Sequence, residues 1–415
     1  MSRRAARVAL VALVALVQTS FASATTCHAA PIVASDRRAS PSATTLTFAT
    51  WNAKWLFDGV NDVAASPYAN GDAAAASAHA DAVRAVVQAV DADCVVIVEN
   101  ETCETLARAA NASPAYARGM VDGTDSATQQ EVGMLTKIDF SSNLVRTENR
   151  ATWDASQSSC AYSGSKESGV SKHFWTRISV SGRYVSVIGA HLKANPTQPS
   201  SCAQREAQVE VLRAIAKARY DAGDAVIVAG DLNDYSDRHV DAGNNSPTSK
   251  VLKRLRDFND DGVDELEEVG GRIAQVSRYT WQSGSSKAKL DYILTSRADI
   301  EVVSAAIRHD LVTSSVSDHF PLVATLDIKQ IRNTSLLGTV GANSMVVLIH
   351  DDYTSSELDQ LLHYCCGHPF GSASLGAVAP INAALSTGVG FIFFASGAAA
   401  GADVCCGSTR FAGAS

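Results

Sequence analysis

The sequence predicts an α/β fold in which two packed sheets are flanked by helices. Strand-like runs alternate with helical patterns from residue 45 to residue 328, which is typical of layered α/β domains. The chain has 415 residues and a hydrophobic content of 46%, enough to bury a sizeable core. One domain of about 280 residues with tails fits this length better than two equal domains.

The first half of the predicted domain contains four strands and two helices. Val83, Val86, Val87 and Val90 recur at helical spacing, which predicts an amphipathic helix leading into the next strand. A polar, Gly/Ser-rich stretch, residues 139–171, is predicted to be an insertion. The predicted strands are 46–51, 94–98, 131–138 and 174–180, and the predicted helices are 76–90 and 101–110.

The second half begins with an apolar run over residues 185–195 and a long helix. Val209, Leu212, Ile215 and Ala216 lie on one face of that helix, so it should pack against a sheet. The predicted helices are 203–220 and 250–256. One predicted strand starts at Val226, and the others are 278–281, 290–294, 300–307 and 322–328.

Polar side chains follow or precede these strands at the strand ends. The run VIVAGDLNDY, residues 226–235, ends abruptly in Gly-Asp-x-Asn, which places a carboxylate and a carboxamide at one edge of a sheet. The same residue types also cap ordinary turns, so this motif alone is weak. Strands bordered by such residues are what a metal-dependent phosphodiester-cleaving site needs. The residues are Asn52, Glu99, His191, Asp231, Asn233, Asp291, Asp318 and His319.

This order of residues resembles the endonuclease/exonuclease/phosphatase superfamily, which includes deoxyribonuclease I, exonuclease III, neutral sphingomyelinases and inositol-polyphosphate phosphatases. The resemblance covers roughly residues 45–328. It implies a four-layer sandwich of two packed mixed β-sheets flanked by helices. It also implies a phosphoric-ester hydrolase that uses a divalent metal.

The resemblance implies a metal site at Asn52 and Glu99, with Asp318 near the metal. Glu99 matches the principal ligand of the family, and Asn52 matches the amide beside it. A hard cation with oxygen ligands and open positions is Mg²⁺ or Mn²⁺.

The resemblance assigns catalytic roles to five further residues. Asp231 matches the residue that orients or deprotonates the attacking water, and Asn233 matches a group that binds the phosphate or metal-bound oxygen. His319 matches a contact to the scissile phosphate, and Asp291 matches the carboxylate that orients it. His191 matches a second phosphate-facing histidine of the deoxyribonuclease I and sphingomyelinase branches.

The sequence departs from the family pattern beside two of these residues. Lys54 stands where many members have an acidic residue, and Val98 stands where a glutamine commonly precedes the glutamate. A cation at residue 54 either depresses metal affinity or contacts a phosphate. Trp51, Trp55 and Trp281 either wall the cleft or pack in the core.

Net charge and composition do not identify the substrate. Loss of the three arginines in residues 1–24 changes the formal net charge from −8 to −11, so the chain lacks the broad basic surface of a tight nucleic-acid binder. An enzyme needs only a local positive field at the phosphate. Nucleic acid is the leading substrate. The alternatives are a phosphatase, a sphingomyelinase-like lipid phosphodiesterase acting on a phosphorylated lipid or small molecule, and an inactive binding member of the fold.

The chain ends are predicted to lie outside the catalytic domain. Residues 1–24 have an arginine-rich start, a short apolar run and a small-x-small site, which predicts a signal peptide and secretion. Residues 25–44 are predicted to be a flexible lead-in. Residues 329–415 are predicted to be a low-complexity extension whose apolar run is a weak membrane span, so no stable membrane anchor is expected.

Nine cysteines in an exported chain indicate disulfides, and an odd number leaves at least one unpaired. Cys160 and Cys202 flank strands that should be neighbours, so this pair is the first prediction. Cys94 with Cys103 is the second, and a buried free thiol at Cys94 is its alternative.

The segment DFNDDGVDELEE, residues 257–268, predicts a structural calcium loop. Asp257, Asn259 and Asp261 alternate, Gly262 stands at the turn, and Glu268 is twelfth, which is the spacing of an EF-hand loop. Asp264 occupies the usually apolar eighth position, so an acidic solvated turn is the alternative.

Overall fold

The computed structural model describes residue 27, residues 34–110 and 116–330, and the two dipeptides 347–348 and 391–392. They fall into two compact units. The first comprises residues 1–219 and 225–329, and the second comprises residues 220–224 and 330–415. In the described part of the second unit, Val347–Leu348 pairs antiparallel with Phe391–Ile392. The predicted signal peptide and most of the C-terminal extension lie outside the described residues.

The first unit contains fifteen strands and four α-helices among its described residues. All predicted helices and most predicted strands are present, but the strand predicted at 278–281 begins only at Trp281. In chain order the elements are β1 (Thr45–Leu56), α1 (Ala73–Val90), β2 (Cys94–Asn100), α2 (Cys103–Ala110), β3 (Ala117–Met120), β4 (Glu131–Thr136), β5 (Arg150–Thr152), β6 (Glu167–Gly169), β7 (Lys172–Val180), β8 (Arg183–His191), α3 (Pro199–Asp221), β9 (Ala225–Asp231), α4 (Val251–Arg256), β10 (Leu266–Glu268), β11 (Trp281–Ser283), β12 (Ser286–Ala288), β13 (Asp291–Ser296), β14 (Ile300–Ile307) and β15 (Leu322–Ile328).

Two mixed sheets form the domain, as predicted. The first has the order β14-β15-β1-β2-β4-β3, and the second has the order β10-β13-β9-β8-β7. Each contains a parallel pair, β1 with β2 and β8 with β9, beside antiparallel pairs. Because two parallel strands end at the same edge, each sheet presents two strand ends there. The short hairpins β5–β6 and β11–β12 stand apart from both sheets.

The core lies between the two sheets. Fully buried side chains such as Phe48 and Val96 of the first sheet and Phe174 and Ile227 of the second belong to one apolar cluster. Alternate residues of β1 and β2, such as Trp51 and Ile97, face away from it and join a second cluster with α1 and α2. The period of two along each strand therefore places one face against the opposite sheet and the other against helices.

Two disulfides tie outlying segments to the domain. Cys160 pairs with Cys202, which confirms the first prediction. Cys103 pairs with Cys27, and Cys94 is a buried free thiol. The predicted Cys94–Cys103 pair is therefore wrong, because Cys94 points into the inter-sheet core whereas Cys103 lies on the helix side of the first sheet.

Residues 34–44 are held against the domain rather than forming a flexible lead-in. Arg38 is 5% exposed and donates to the backbone oxygen of Thr45 and to Asp36. Arg37 forms an ion pair with Asp139 at 2.6 Å. These contacts correct the expectation drawn from the Ala/Ser/Thr composition. Among the described residues, no helix has the length and apolarity that a bilayer crossing needs.

Candidate active site

Four polar residues form a row across one edge of the second sheet. Asp291 pairs with Asp231 across β13 and β9, Asp231 with His191 across β9 and β8, and His191 with Lys172 across β8 and β7. Neighbouring strands lie about 4.8 Å apart, so the register fixes the spacing of these side chains. The predicted catalytic residues Asp291, Asp231 and His191 are thus brought together by strand pairing.

A glycine allows this edge to form. Gly230 has a φ of 137°, and a Cβ atom there would lie 1.9 Å from the backbone oxygen of Ala190. No other residue type tolerates both the conformation and the close approach. The glycine before Asp231 therefore lets β9 lie close against β8 where the two strands deliver Asp231 and His191.

His319 is held in place by Asp291 and by its own turn. Its Nδ1 lies 2.7 Å from Asp291 Oδ2, and its backbone N–H donates to Ser317 Oγ. Ser317 in turn donates to the backbone oxygen of Asn52, which ties the turn that carries His319 to β1. Thr280 Oγ1 accepts from the backbone N–H of Asp291. Ser317 and Thr280 carry no signal in the sequence beyond their position near the motifs.

Asp231 is the centre of the arrangement. Its Oδ2 lies 3.9 Å from Nε2 of both His191 and His319, and all three side chains are buried. Burial and the nearby Asp291 raise the pKa of Asp231. Burial lowers the pKa of His319, but the adjacent carboxylates of Asp291 and Asp231 outweigh it, and the net pKa is raised.

His191 has the opposite electrostatic character. Burial, together with Lys172, His319 and Lys193, holds the pKa of His191 well below its usual value. Its Nδ1 is buried without a hydrogen-bond partner. Asp231 therefore lies between a histidine that favours the cationic form and a histidine that favours the neutral form.

Asn52 of β1 and Glu99, next to the last residue of β2, lie beside Asp231. Asn52 Nδ2 donates to Glu99 Oε1 at 3.0 Å and to Asp231 Oδ2 at 3.1 Å, while its Oδ1 accepts from the backbone N–H of Lys54. Glu99 has a φ of 65°, a conformation that costs about 1 kcal/mol or more for a residue with a side chain. The Asn52 amide thus joins the two carboxylates, and Glu99 remains partly exposed.

Asp318 and Lys54 form an ion pair at the rim of the site. Lys54 Nζ lies 3.4 Å from Asp318 Oδ1, and Trp281 Nε1 donates to Asp318 Oδ2 at 3.1 Å. Asp318 therefore contacts a cation of the chain itself. Trp51 is 1% exposed and packs in the core, whereas Trp55 and Trp281 are half-buried beside the site.

Asn233 completes the turn after β9. Its backbone N–H donates to Asp231 Oδ1 at 3.0 Å, and its Nδ2 lies 3.3 Å from the backbone oxygen of Leu192. It has a φ of 52°, which asparagine adopts more readily than most residues. Asn233 therefore fixes the Asp231 carboxylate and links the turn to the segment after His191.

Arg205 of α3 supports the same two segments and was not predicted. Its side chain is fully buried and donates to Asp234 Oδ2 at 2.9 Å. It also donates to the backbone oxygens of Lys193, Asn195 and Pro196. An arginine within the apolar face of a predicted amphipathic helix is the signal that could have identified it.

The structure separates the predicted calcium ligands. Asp257 and Asp261 lie together with Glu265, and Asn259 donates to Glu265. Glu268 instead pairs with Leu294 in the sheet and is buried against Arg256, with 2.5 Å between Arg256 Nη1 and Glu268 Oε1. The assignment of Glu268 as twelfth ligand is corrected, because β10 turns this side chain away from the loop.

Comparison with known proteins gives one family. The family model described as the endonuclease/exonuclease/phosphatase family matches residues 49–319. No curated protein matches the chain. Similar solved structures include an endonuclease/exonuclease/phosphatase from Beutenbergia cavernae, with 17% identity, a TM-score of 0.46 and coverage of 68% of this chain and 72% of that one.

Two further solved structures are similar to this chain at a comparable level. TDP2 from C. elegans has 16% identity, a TM-score of 0.42 and coverage of 68% of this chain and 75% of that one. The human Nocturnin catalytic domain with a bound sulfate anion has 17% identity, a TM-score of 0.42 and coverage of 72% and 97%.

Proposed function

Because the chain belongs to the endonuclease/exonuclease/phosphatase family, we propose that it is a metal-dependent phosphodiester hydrolase whose substrate is nucleic acid. The observation that carries this proposal is the position of Asp231, 3.9 Å from the Nε2 atoms of two histidines of opposite electrostatic character. A base beside a cationic donor is what hydrolysis of a phosphodiester by water requires.

The residues divide the reaction between them. Asp231 accepts a proton from the attacking water, which displaces the leaving oxygen from phosphorus in line. His319, held by Asp291, donates a hydrogen bond to a phosphoryl oxygen and neutralises charge that develops there. His191 faces Asp231 as a neutral imidazole and orients the water or the phosphate. Asn233 keeps the Asp231 carboxylate in position.

Glu99 and Asn52 fit a hard divalent cation. Glu99 is a partly exposed carboxylate, and the Asn52 amide is adjacent to it and to a second carboxylate, Asp231. Glu99 and Asp231 would hold Mg²⁺ or Mn²⁺ through carboxylate oxygens, which such hard cations prefer, with the Asn52 amide beside them. When bound, the ion polarises the phosphoryl group. Asp318 is not part of this donor set. It pairs with Lys54 and accepts a hydrogen bond from Trp281.

Cationic side chains beside the site support a substrate that carries phosphate, and nucleic acid is the one proposed. The whole chain has a net charge of −8. Lys54 and Lys172 are paired with Asp318 and Asp125, and Lys193 lies near His191, so these lysines offset part of the negative charge that a phosphate would meet at the site. Two disulfides support secretion into an oxidising compartment.

The test is degradation of plasmid DNA by the purified protein with Mg²⁺, with Mn²⁺ and with a chelator. Asp231→Asn and His319→Gln should each reduce the rate by about 10²–10⁴. Asp81→Asn, an exposed residue of α1, is the matched control and should leave the rate unchanged. Full activity with chelator, or in the Asp231 variant, would contradict the proposal.

A further inference from the structure

A cleft continues the row of site residues beyond the edge strand of the second sheet. The row Asp291, Asp231, His191 and Lys172 ends at β7, and residues just before Lys172, from Lys166 to Ser171, line the cleft. Two strand spacings, about 10 Å, separate β9 from β7. Lys172, the end of the row next to the cleft, therefore lies about 10 Å from Asp231.

The insertion predicted from the sequence, residues 139–171, builds this cleft against α3. The Cys160–Cys202 disulfide joins the insertion to the helix, and Trp153 Nε1 donates to Glu206 at 2.9 Å. Gln208 donates to the backbone oxygen of Gly169 and lines the cleft. The insertion is thus a fixed wall rather than a free loop.

The cleft is polar and its cations outnumber its anions. It has a volume of ≈ 310 Å³, and Val170 is its only large aliphatic lining residue. Arg146, Arg150 and Lys166 line it together with two acids, Glu148 and Glu167, which pair with Arg146 and Arg150 and leave an excess of one positive charge. A site of this composition suits a charged backbone and offers no surface for acyl chains.

One hydrogen bond connects the cleft to the catalytic segment. Gln208 Oε1 accepts from the backbone N–H of Lys193 at 3.0 Å, two residues after His191. The same side chain therefore contacts the cleft wall through Gly169 and the catalytic segment through Lys193. A strand lying along this path would pass from the scissile phosphate to the cleft within a few nucleotides.

We propose that this cleft binds the phosphodiester backbone of a nucleic-acid strand on one side of the scissile phosphate. This inference rests on the proposed function and deepens it, because it makes the substrate a polymer rather than a small phosphoric ester. Arg150 and Lys166 supply the positive charge that attracts the phosphodiester backbone. Glu167 reduces this charge through its ion pair with Arg150.

The test compares an oligothymidylate of about 12 nucleotides, long enough to reach the cleft, with bis(p-nitrophenyl) phosphate, which reaches only the catalytic residues. The double variant Arg150→Gln, Lys166→Gln should raise KM for the oligonucleotide by about tenfold. The slope of log(1/KM) against log[salt] should become shallower by about 1.4. Glu167→Gln should lower KM. Hydrolysis of the small ester should not change in any of these variants.

Arg84→Gln, Lys329→Gln is the charge-matched control, with one residue on α1 and the other just after β15. Equal effects in the control and the cleft variant, or equal effects on both substrates, would overturn the proposal. A wild-type protein that cleaves the small ester but no oligonucleotide would also overturn the proposal, and of the proposed function only the metal-dependent phosphodiester hydrolysis would remain. A wild-type protein that cleaves neither substrate with Mg²⁺ or Mn²⁺ would overturn the proposed function and this inference with it.

Discussion

Removal of the buried Arg205 guanidinium should destabilise the domain strongly. Arg205 and Asp234 are almost completely buried, with 0% and 1% of their side chains exposed. Arg205→Met leaves the Asp234 carboxylate without its cation and the backbone oxygens of Lys193, Asn195 and Pro196 without their donor. Breaking a buried pair by removing one partner costs about 3–5 kcal/mol. We expect that loss in the free energy of unfolding at pH 7, measured by urea denaturation.

The pH dependence of stability tests whether the unpaired Asp234 carboxylate causes the loss in Arg205→Met. Burial already raises the pKa of Asp234, although Arg205 lowers it, so the pKa should rise further in Arg205→Met. A carboxyl whose pKa is higher in the folded state keeps its proton after the unfolded chain has released it. The stability of the variant should therefore fall relative to wild type as the pH rises above about 4.

A double-mutant cycle separates the ion pair from the packing. Arg205→Met with Asp234→Asn removes both charges, so the double variant should be more stable than the sum of the single changes predicts, by on the order of 2 kcal/mol. Arg219→Met, on the same helix, removes a guanidinium that stacks on Trp175 and should cost about 0.5–1 kcal/mol. A loss below about 1 kcal/mol in Arg205→Met, with no added pH dependence, would refute the reasoning.

Three further predictions concern stability. Gly230→Ala should lower the free energy of unfolding by more than about 3 kcal/mol, because its Cβ would meet a backbone oxygen at 1.9 Å. Gly71 also has a positive φ but has open space around it. Gly71→Ala should therefore lower the free energy of unfolding by only about 1–2 kcal/mol in the same denaturation assay. Replacing Cys160 and Cys202 by serine opens a loop with a sequence separation of 42 and should lower the free energy of unfolding by about 4 kcal/mol. A reductant should abolish the difference in melting temperature between wild type and variant. Burial raises the pKa of Glu131 to about 8, so wild type should lose stability relative to Glu131→Gln between about pH 4.5 and 8, and parallel pH profiles would contradict this.

Most candidate site residues could be predicted because they lie at or near the position where a strand begins or ends. Glu99, His191 and Asp231 end β-branched runs, and strand ends in one sheet share an edge whatever the loops do. The order of these motifs in the chain therefore carried most of the information about the site. The two mixed sheets were predicted for the same reason.

What could not be predicted depends on side-chain direction and on contacts distant in sequence. The loop spacing suggested Glu268 as a ligand, but a short strand, β10, turned it inward. The Cys27–Cys103 disulfide joins cysteines separated by 76 residues, and sequence alone does not give such a pairing. The direction of the Asn52 amide depends on three partners from three different segments.

The pairing of β1 with β15 has a consequence for the connectivity of the chain. Thr45 pairs antiparallel with Asp327, so the start of the first strand and the end of the last strand of the domain are side by side. Asn52 lies seven residues further along β1, about 23 Å away at 3.3 Å per residue. A short linker joining these ends, with new termini cut in the exposed turn between β11 and β12, would give a circular permutant. The edge that carries the candidate site would still be assembled from the same strand ends.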